Sequence, residues 1–211
     1  MSYTPIVFVV DADISVHESL ELVIRTAGCQ AKIFSSAHEF LSRPRTSVPS
    51  CLILDIVLPD MNGLELQERI TAERSGMPII FLSGRCDIQT TVKAMKAGAM
   101  EFLTKPFDGQ MLLNAIRQAI KRSEAALGRE SELQALRSYY GSLTIREREV
   151  MTLVASGLLN KQVGGELGIS EITVKAHRGN VMRKMKAGSF ADLVSMALRL
   201  RVVRSLAATA A

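Results

Sequence analysis

Short apolar runs alternate with stretches of helical periodicity over the first 121 residues. The runs occupy residues 6–10, 31–34, 51–54, 78–82 and 101–103. The first, third and fourth runs are apolar throughout, which is typical of strands that are covered on both faces. A helix can follow each run, and five strand-helix units in succession predict an α/β domain with a doubly wound, five-stranded parallel sheet.

The rest of the chain has helical periodicity only. Residues 122–140 contain no proline and are rich in Ala, Leu, Glu and Arg, which favours a linking helix. Residues 143–198 form a second helical region, interrupted at glycines, and predict an all-α domain. We therefore predict an α/β domain over 1–121, a helical linker over 122–140 and an all-α domain over 141–211.

Positive charge is concentrated in the last third of the chain. Residues 1–121 carry 12 Lys and Arg against 13 Asp and Glu, whereas residues 141–211 carry 11 against 5. An excess of this kind indicates a domain that binds a polyanion such as DNA, although a solvated basic surface has the same composition.

Other features of composition exclude several classes. No apolar run approaches the roughly 20 residues needed to cross a bilayer, and the N-terminus lacks the order of a signal peptide. Cys29, Cys51 and Cys86 are too few and too scattered for a disulfide framework, and no Cys or His has metal-ligand spacing. We expect a cytoplasmic protein with reduced thiols and no membrane partner.

Acids, a hydroxyl and a lysine follow the predicted strands. Asp11 and Asp13 follow the first, Asp55 ends the third, Ser83 follows the fourth, and Lys105 follows the fifth. Ligand sites of such sheets gather at the carboxyl ends of the strands. A carboxylate can accept a phosphoryl group there if Mg²⁺ and an ammonium group neutralise the repulsion between the two anions.

The residues around these positions form recognisable segments. Asp11 ends an apolar strand, residues 54–63 read LDIVLPDMNG, residues 83–84 read SG, and residues 102–107 read FLTKPF. With these segments, residues 5–121 resemble the receiver domain of two-component response regulators. The resemblance implies a flavodoxin-like fold and a cis peptide bond before Pro106.

The resemblance also implies a role for each residue at this edge. Asp55 is the phosphoacceptor, and Mg²⁺ is bound by Asp11, Asp55 and the backbone carbonyl of Val57. The residues expected to respond to the phosphoryl group are the switch hydroxyl Ser83, the phosphoryl contact Lys105 and the aromatic switch Phe102.

Residue 12 departs from the receiver pattern. Receivers carry two adjacent acids after the first strand, and the second binds the metal directly, but that position is Ala12 here. Asp13 does not replace it, because neighbouring side chains on an extended strand point in opposite directions. We expect weakened Mg²⁺ affinity and a low or absent phosphorylation rate. A phosphorylation-independent DNA-binding regulator with a degenerate receiver is therefore an alternative.

A second alternative is an enzyme. Residues 9–16 resemble the opening motif of haloacid-dehalogenase-type phosphatases, in which Asp11 would be the nucleophile and Asp13 the acid and base. Such enzymes need a further acidic cluster after a later strand, and we find none beyond Lys105. The motif also leaves Asp55 without a role. We therefore expect a regulator and not an enzyme.

The all-α region contains a helix-turn-helix pattern. Thr144 and Glu147 have the spacing of a capping box, Asn160 and Ser170 are candidate N-caps, and Gly168 suits the turn. Residues 143–200 resemble the LuxR-type DNA-binding domain of the NarL/FixJ response regulators. The glycines at 164 and 165 suggest a close approach between helices.

A rotation of about 100° per residue divides the last helix of this motif into two sides. The core side is formed by Val174, Val181 and Met185. The outer side, which should enter the major groove, is formed by Lys175, Ala176, Gly179 and Arg183.

The resemblance implies base contacts at positions 175, 176 and 179. Gly179 has no side chain, so we expect Lys175 to contact base edges. The residues expected on phosphates are Lys161, Thr173, Arg183 and Lys184. The expected partners are a sensor histidine kinase, promoter DNA and a second copy of the chain, with phosphorylation of Asp55 controlling dimerisation and DNA binding.

Overall fold

The chain consists of two compact units, Met1–Gly128 and Arg129–Ala211. In the computed structural model the residues described are 3–74, 76–84 and 87–203. One helix, α5, runs without interruption over Gly109–Gly141 and belongs to both units. The domain bounds at 121 and 141 stay predictions.

The first unit contains a five-stranded sheet in the order β2-β1-β3-β4-β5, with all pairs parallel. The strands are β1 (Ile6–Val10), β2 (Gln30–Phe34), β3 (Ser50–Leu54), β4 (Ile79–Ser83) and β5 (Glu101–Thr104). The helices are α1 (His17–Thr26), α2 (Ala37–Leu41), α3 (Gly63–Glu73), α4 (Ile88–Lys96) and α5, and a 3₁₀ turn (Ile14–Val16) precedes α1. The predicted doubly wound sheet is confirmed.

Alternate side chains of the three central strands enter two hydrophobic clusters on opposite faces of the sheet. One cluster includes Phe8, Val10, Leu52, Leu54 and Phe81. The other includes Val7, Val9, Ile53, Ile80 and Leu82. Both faces are covered by helices, which explains why these strands are apolar throughout. The outer strands β2 and β5 have mixed burial.

Polar N-caps and glycines mark several helix ends in this unit. The side chains of Ser36, Asp87 and Asp108 accept hydrogen bonds from backbone N–H groups in the first turns of α2, α4 and α5. Gly28 and Gly98 end the preceding helices with φ of 78° and 93°, in the left-handed region that favours glycine.

Within residues 129–203, the described part of the second unit, four further helices pack around one core. These are α6 (Ile145–Ala155), α7 (Asn160–Leu167), α8 (Glu171–Met185) and α9 (Phe190–Arg199). Val150, Val174, Val181 and Leu193 are fully or almost fully buried, and Tyr140 near the end of α5 packs against the same cluster. The predicted core side of α8 is confirmed.

Three of the four predicted turn features of the helix-turn-helix are confirmed. Thr144 and Glu147 form a reciprocal capping box at the start of α6. Ser170 Oγ accepts from Thr173 N–H at 3.1 Å, and Gly168 has a left-handed φ of 64°. These contacts fix the relative positions of α7 and α8.

The predicted N-cap of α7 is wrong. Leu159 is the N-cap, and its N–H donates to Gln162 Oε1 at 2.8 Å. Asn160 is the first helical residue, and its Oδ1 accepts from Arg178 Nη1 at 3.2 Å. Leu159 has no side-chain acceptor for the first-turn N–H groups, so Gln162 supplies only the half of a capping box that binds the N-cap N–H.

The two glycines of α7 differ in their surroundings. A Cβ at Gly164 would lie 2.7 Å from the carbonyl oxygen of Ile169, whereas one at Gly165 would meet nothing within 4 Å. The close approach at Gly164 is therefore to the backbone of the turn after α7 and, at 3.7 Å, to the backbone nitrogen of Glu171 at the start of α8. The predicted close approach at Gly165 is wrong.

Cys29 and Cys51 are buried free thiols in the core of the first unit, and burial raises the pKa of each. Cys86 lies outside the described residues. Over the described part of the chain, no helix combines the length and apolar character needed to cross a bilayer.

Candidate functional site

A lysine and two carboxylates meet at the carboxyl edge of the sheet. Lys105 Nζ lies 2.6 Å from Asp11 Oδ2 and 2.8 Å from Asp55 Oδ2. Asp11 is 1% exposed and Asp55 9%. The predicted convergence of these three residues is thus observed, and the two carboxylates lie close to one another because they share one ammonium group.

Backbone hydrogen bonds between strand ends hold these residues in place. Asp55 N–H donates to Val10 O at 3.0 Å, and Lys105 N–H donates to Ser83 O at 2.9 Å. The Asp55 carboxylate is oriented by the N–H of Val57, at 3.1 Å from its Oδ1. The parallel pairing of β1 with β3 and of β4 with β5 therefore sets the site.

The positive charge of Lys105 compensates the negative charges of Asp11 and Asp55. Burial alone would lower the pKa of Lys105, but its hydrogen bonds to Asp11 and Asp55 outweigh burial and raise that pKa above its usual value. Lys105 is therefore a fixed cation beside Asp55. Its peptide bond to Pro106 is cis, as the resemblance implies.

The two predicted switch residues lie on neighbouring strands. Ser83 is the last residue of β4 and is fully buried. Phe102 on β5 is half-buried, and its ring stacks on Phe81 with 5.9 Å between centroids. Ser83 on β4 is thus one strand away from both Asp55, at the end of β3, and Lys105, after β5. Their switch roles stay predictions.

Asp13 does not take the position of the missing acid. Its Oδ1 accepts from the N–H of Ser15 at 3.1 Å and from its hydroxyl, and the 3₁₀ turn begins there. The hydrogen bonds from Ser15 lower the pKa of Asp13. Its carboxylate is therefore engaged in capping the 3₁₀ turn. Asp13 N–H also donates to Asp11 Oδ1 at 2.9 Å and so orients that acid.

The donor set fits Mg²⁺ with fewer protein ligands than usual. Among the described residues, no group of three or more His, Cys, Asp or Glu side chains could hold a metal. Mg²⁺ in phosphate sites uses one or two carboxylates together with water and phosphate oxygens. Asp11 and Asp55 meet that requirement, and Ala12 contributes no third carboxylate.

Two residues between Asp55 and the first turn of α3 have structural roles that the sequence reasoning missed. A Cβ at Gly63 would lie 2.4 Å from the backbone oxygen of Asp55, so only glycine fits there. Asp60 accepts hydrogen bonds from the N–H groups of Ala37, at 3.1 Å, and His38, at 2.8 Å. Asp60 therefore ties this loop to the first turn of α2. The preference of helix N-termini for carboxylates explains the contact, but α2 is remote in sequence.

In the second unit, the predicted outer side of α8 is exposed. The exposed residues are Lys175, Ala176, Gly179 and Arg183 on α8, and Lys161 on α7. Lys175 Nζ lies 3.1 Å from Glu171 Oε1, one turn earlier. The cation expected to contact bases is thus paired with an acid in the free protein.

The other two predicted phosphate contacts are less exposed. Thr173 is half-buried, and its N–H is used in the cap with Ser170. Lys184 Nζ lies 2.6 Å from Glu147 Oε2, and Glu147 is 4% exposed. Lys184 is therefore also a structural cation, and its contact with DNA stays a prediction.

Two features of α8 were missed. Ile172, in its first turn, is 80% exposed and belongs to the outer side. Arg178 places its guanidinium over the ring of Phe190, with 4.5 Å to the centroid, and so joins α8 to α9. Helical spacing would have identified Ile172, because it lies four residues before Ala176.

Two family models match the chain. Residues 7–117 match the response regulator receiver domain, and residues 141–197 match the luxR family of bacterial regulatory proteins. The matches correspond to the two motif-bearing regions. Residues 9–16, which suggested the phosphatase alternative, lie within the segment that matches the receiver domain.

Similar proteins cover nearly the whole chain. It is 46% identical over 197 residues to nodulation protein W of Bradyrhizobium diazoefficiens, covering 93% of this chain and 87% of that protein. It is 44% identical over 196 residues to response regulator protein TodT of Pseudomonas putida, covering 93% and 86%. It is 36% identical over 193 residues to transcriptional regulatory protein FixJ of B. diazoefficiens, covering 92% and 94%.

Solved structures show the same likeness. The low-resolution structure of response regulator StyR has a TM-score of 0.80 at 47% identity and covers 93% of this chain and 100% of its own. Full-length FixJ from B. japonicum has a TM-score of 0.56 at 35% identity and covers 96% and 100%.

Proposed function

This chain is a response regulator transcription factor of the NarL/FixJ family, with a receiver domain and a LuxR-type DNA-binding domain, and we propose that phosphorylation of Asp55 by a sensor histidine kinase controls its binding to promoter DNA. The observation that supports the proposal most strongly is the 2.8 Å contact between Lys105 Nζ and Asp55 Oδ2 at the carboxyl edge of the sheet. It places the Asp55 carboxylate beside a cation in a nearly buried site.

The proposed chemistry is transfer of a phosphoryl group from a phosphohistidine to Asp55. A carboxylate oxygen attacks phosphorus, the P–N bond breaks, and the imidazole leaves with the electron pair and takes up a proton. The product is an acyl phosphate, and Lys105 exchanges its contact with the carboxylate for one with a phosphoryl oxygen. Mg²⁺, held by Asp11, Asp55 and the Val57 carbonyl, would neutralise phosphoryl charge during the transfer.

The added charge is proposed to act through Ser83 and Phe102. The Ser83 hydroxyl donates to a phosphoryl oxygen, and Phe102 changes rotamer as β4 and β5 adjust. The affected face consists of α4, β5 and the start of α5. On α4 it carries three exposed apolar residues at helical spacing, Ile88, Val92 and Met95. This face would pair two phosphorylated copies about a two-fold axis.

The second unit is proposed to read DNA with α8. Lys175 contacts base edges, and the phosphate contacts are Lys161, Thr173, Arg183 and Lys184. Ala176 and Gly179 allow close approach of the helix to the bases. The exposed side chain of Leu198 on α9 is available for the contact between two copies on a two-fold site.

A regulator that ignores phosphorylation is the second candidate. Ala12 removes a metal ligand, and Lys105 already compensates both remaining carboxylates in the unphosphorylated protein. In that case, the receiver fold would serve only as a dimerisation module, and DNA binding would not depend on a phosphodonor.

A phosphorylation assay separates the two candidates. The full chain is incubated with a labelled small acyl phosphate at several Mg²⁺ concentrations, together with Asp55→Asn, Ala12→Asp and the uncharged control Ala12→Asn. We expect slow labelling of wild type, none of Asp55→Asn, and faster labelling of Ala12→Asp at low Mg²⁺. Label on Asp55→Asn would contradict the proposed acceptor. Label on Ala12→Asp alone would support the degenerate receiver.

A further inference from the structure

Ile172 is an apolar residue on the face of α8 that should enter the major groove. It is 80% exposed and precedes Ala176 by four residues and Gly179 by seven, so the three lie on one side of the helix. It also lies in the first turn. N-terminal residues of a recognition helix contact base edges, and Ile172 is therefore positioned closer to the bases than to the phosphates.

Few hydrogen-bonding groups accompany it on this face. Gly179 has no side chain and Ala176 offers a single methyl group. The Lys175 ammonium is paired with Glu171 at 3.1 Å, so a base that binds Lys175 must compete with that carboxylate. Much of the contact area between α8 and the base edges is consequently apolar.

The major groove offers one apolar group, the C5 methyl of thymine. We propose that Ile172 determines sequence specificity by packing against a thymine methyl in each half-site. This inference rests on the proposed DNA-reading face of α8 and adds a base preference to it. An isoleucine cannot satisfy a donor or acceptor, so guanine, cytosine or adenine at the same position would leave polar atoms without water or a partner.

Ile145 provides a matched control. It is also an isoleucine, it is 77% exposed, and it is the first residue of α6, outside the helix-turn-helix formed by α7 and α8. Removal of either side chain leaves the core unchanged. If the two alanine variants differ in DNA affinity, the difference is therefore due to the position of Ile172 on α8 and not to the loss of an exposed isoleucine in general.

The experiment removes the methyl group from the DNA. A binding site is first selected from random duplexes with the full chain after phosphodonor treatment. Each thymine in turn is then replaced by deoxyuridine, which lacks only the C5 methyl, and affinity is measured for wild type, Ile172→Ala, Ile172→Val, Ile145→Ala and Lys175→Ala. Circular dichroism and thermal unfolding verify that the variants are folded.

For wild type, Ile172→Val and Ile145→Ala we expect one uracil position in each half-site to weaken binding about fourfold, the value of one buried methylene-sized group. For Ile172→Ala, replacement of that thymine by uracil should leave the affinity unchanged. Two results overturn the inference, provided that Lys175→Ala still weakens DNA binding. One is that wild type binds every uracil-substituted duplex as tightly as the unsubstituted one. The other is that Ile172→Ala loses affinity at the same uracil position as wild type. If Lys175→Ala has no effect, or wild type selects no site, the proposed DNA-reading face is wrong and the inference falls with it.

Discussion

Glu147 in the first turn of α6 accepts a hydrogen bond from Lys184 near the end of α8, with 2.6 Å between Oε2 and Nζ. The same oxygen accepts from the N–H of Thr144 at 2.8 Å. The pair therefore connects the capping box of α6 to α8. Because Glu147 is 4% exposed, its charge is compensated almost entirely by protein groups.

Loss of this charge should destabilise the second unit. Glu147→Gln keeps an acceptor for Thr144 but leaves Lys184 without its counter-ion. We expect the free energy of unfolding to fall by about 1–3 kcal/mol, the cost of leaving one partner of a hydrogen bond unsatisfied. Urea unfolding followed by circular dichroism measures the change. Glu166→Gln, at an exposed position of α7, is the control and should be neutral.

The contact between Glu147 and Lys184 should also make the stability of the protein depend on pH. Burial alone would raise the pKa of Glu147. The hydrogen bond and positive charge of Lys184, together with hydrogen bonds from Thr144, hold that pKa below its usual value of 4.5. A depressed pKa in the folded state stabilises the protein above pH 4.5, and the contribution is lost as pH falls through the folded value. Between pH 5 and pH 3, wild type should therefore lose more stability than Glu147→Gln. Parallel curves for the two proteins would contradict this.

The neighbouring glycines of α7 should respond oppositely to alanine. A Cβ at Gly164 would lie 2.7 Å from Ile169 O, in the turn that orients α8, whereas Gly165 faces open space. We expect Gly164→Ala to lower the free energy of unfolding by about 1–3 kcal/mol and Gly165→Ala to raise it by about 0.8–1.0 kcal/mol. Thermal unfolding of both variants provides the comparison. Equal effects would show that the turn accommodates the methyl group.

Gly63 should limit the backbone geometry around Asp55, the proposed phosphoacceptor. A Cβ there would lie 2.4 Å from Asp55 O and 2.8 Å from Ile56 Cα, so the backbone that carries Asp55 must move. Gly63→Ala should lower stability by about 1–3 kcal/mol and slow labelling by a phosphodonor. Gly128→Ala is the control, because nothing lies within 4 Å of its Cβ. Unchanged labelling of Gly63→Ala would contradict a strained loop.

The parts of the fold that could be predicted depend on periodicity and on short-range chemistry. The continuous apolar runs at β1, β3 and β4 predict covered parallel strands, and the carboxyl-edge rule then brings Asp11, Asp55 and Lys105 together. Caps such as Ser36 and Ser170 were predictable because donor and acceptor are three residues apart.

Features that depend on tertiary distance were not predictable in the same way. Asp60 caps α2 across more than 20 positions in the chain, and the partner of Lys184 is 37 residues away. The cap of α7 was missed because a leucine cannot cap with its side chain, and only Gln162 supplies the acceptor. In these cases the sequence contains a polar group with many possible partners, and the fold selects one.

DNA affinity with and without a phosphodonor tests most directly whether a phosphoryl group on Asp55 governs DNA binding. The full chain, Asp55→Asn and Ala12→Asp are titrated with the selected duplex at fixed salt, before and after treatment with an acyl phosphate and Mg²⁺. We expect treatment to tighten binding by wild type and more strongly by Ala12→Asp, and to leave Asp55→Asn unchanged. If treatment changes the DNA affinity of neither wild type nor Ala12→Asp, phosphorylation of Asp55 does not control DNA binding.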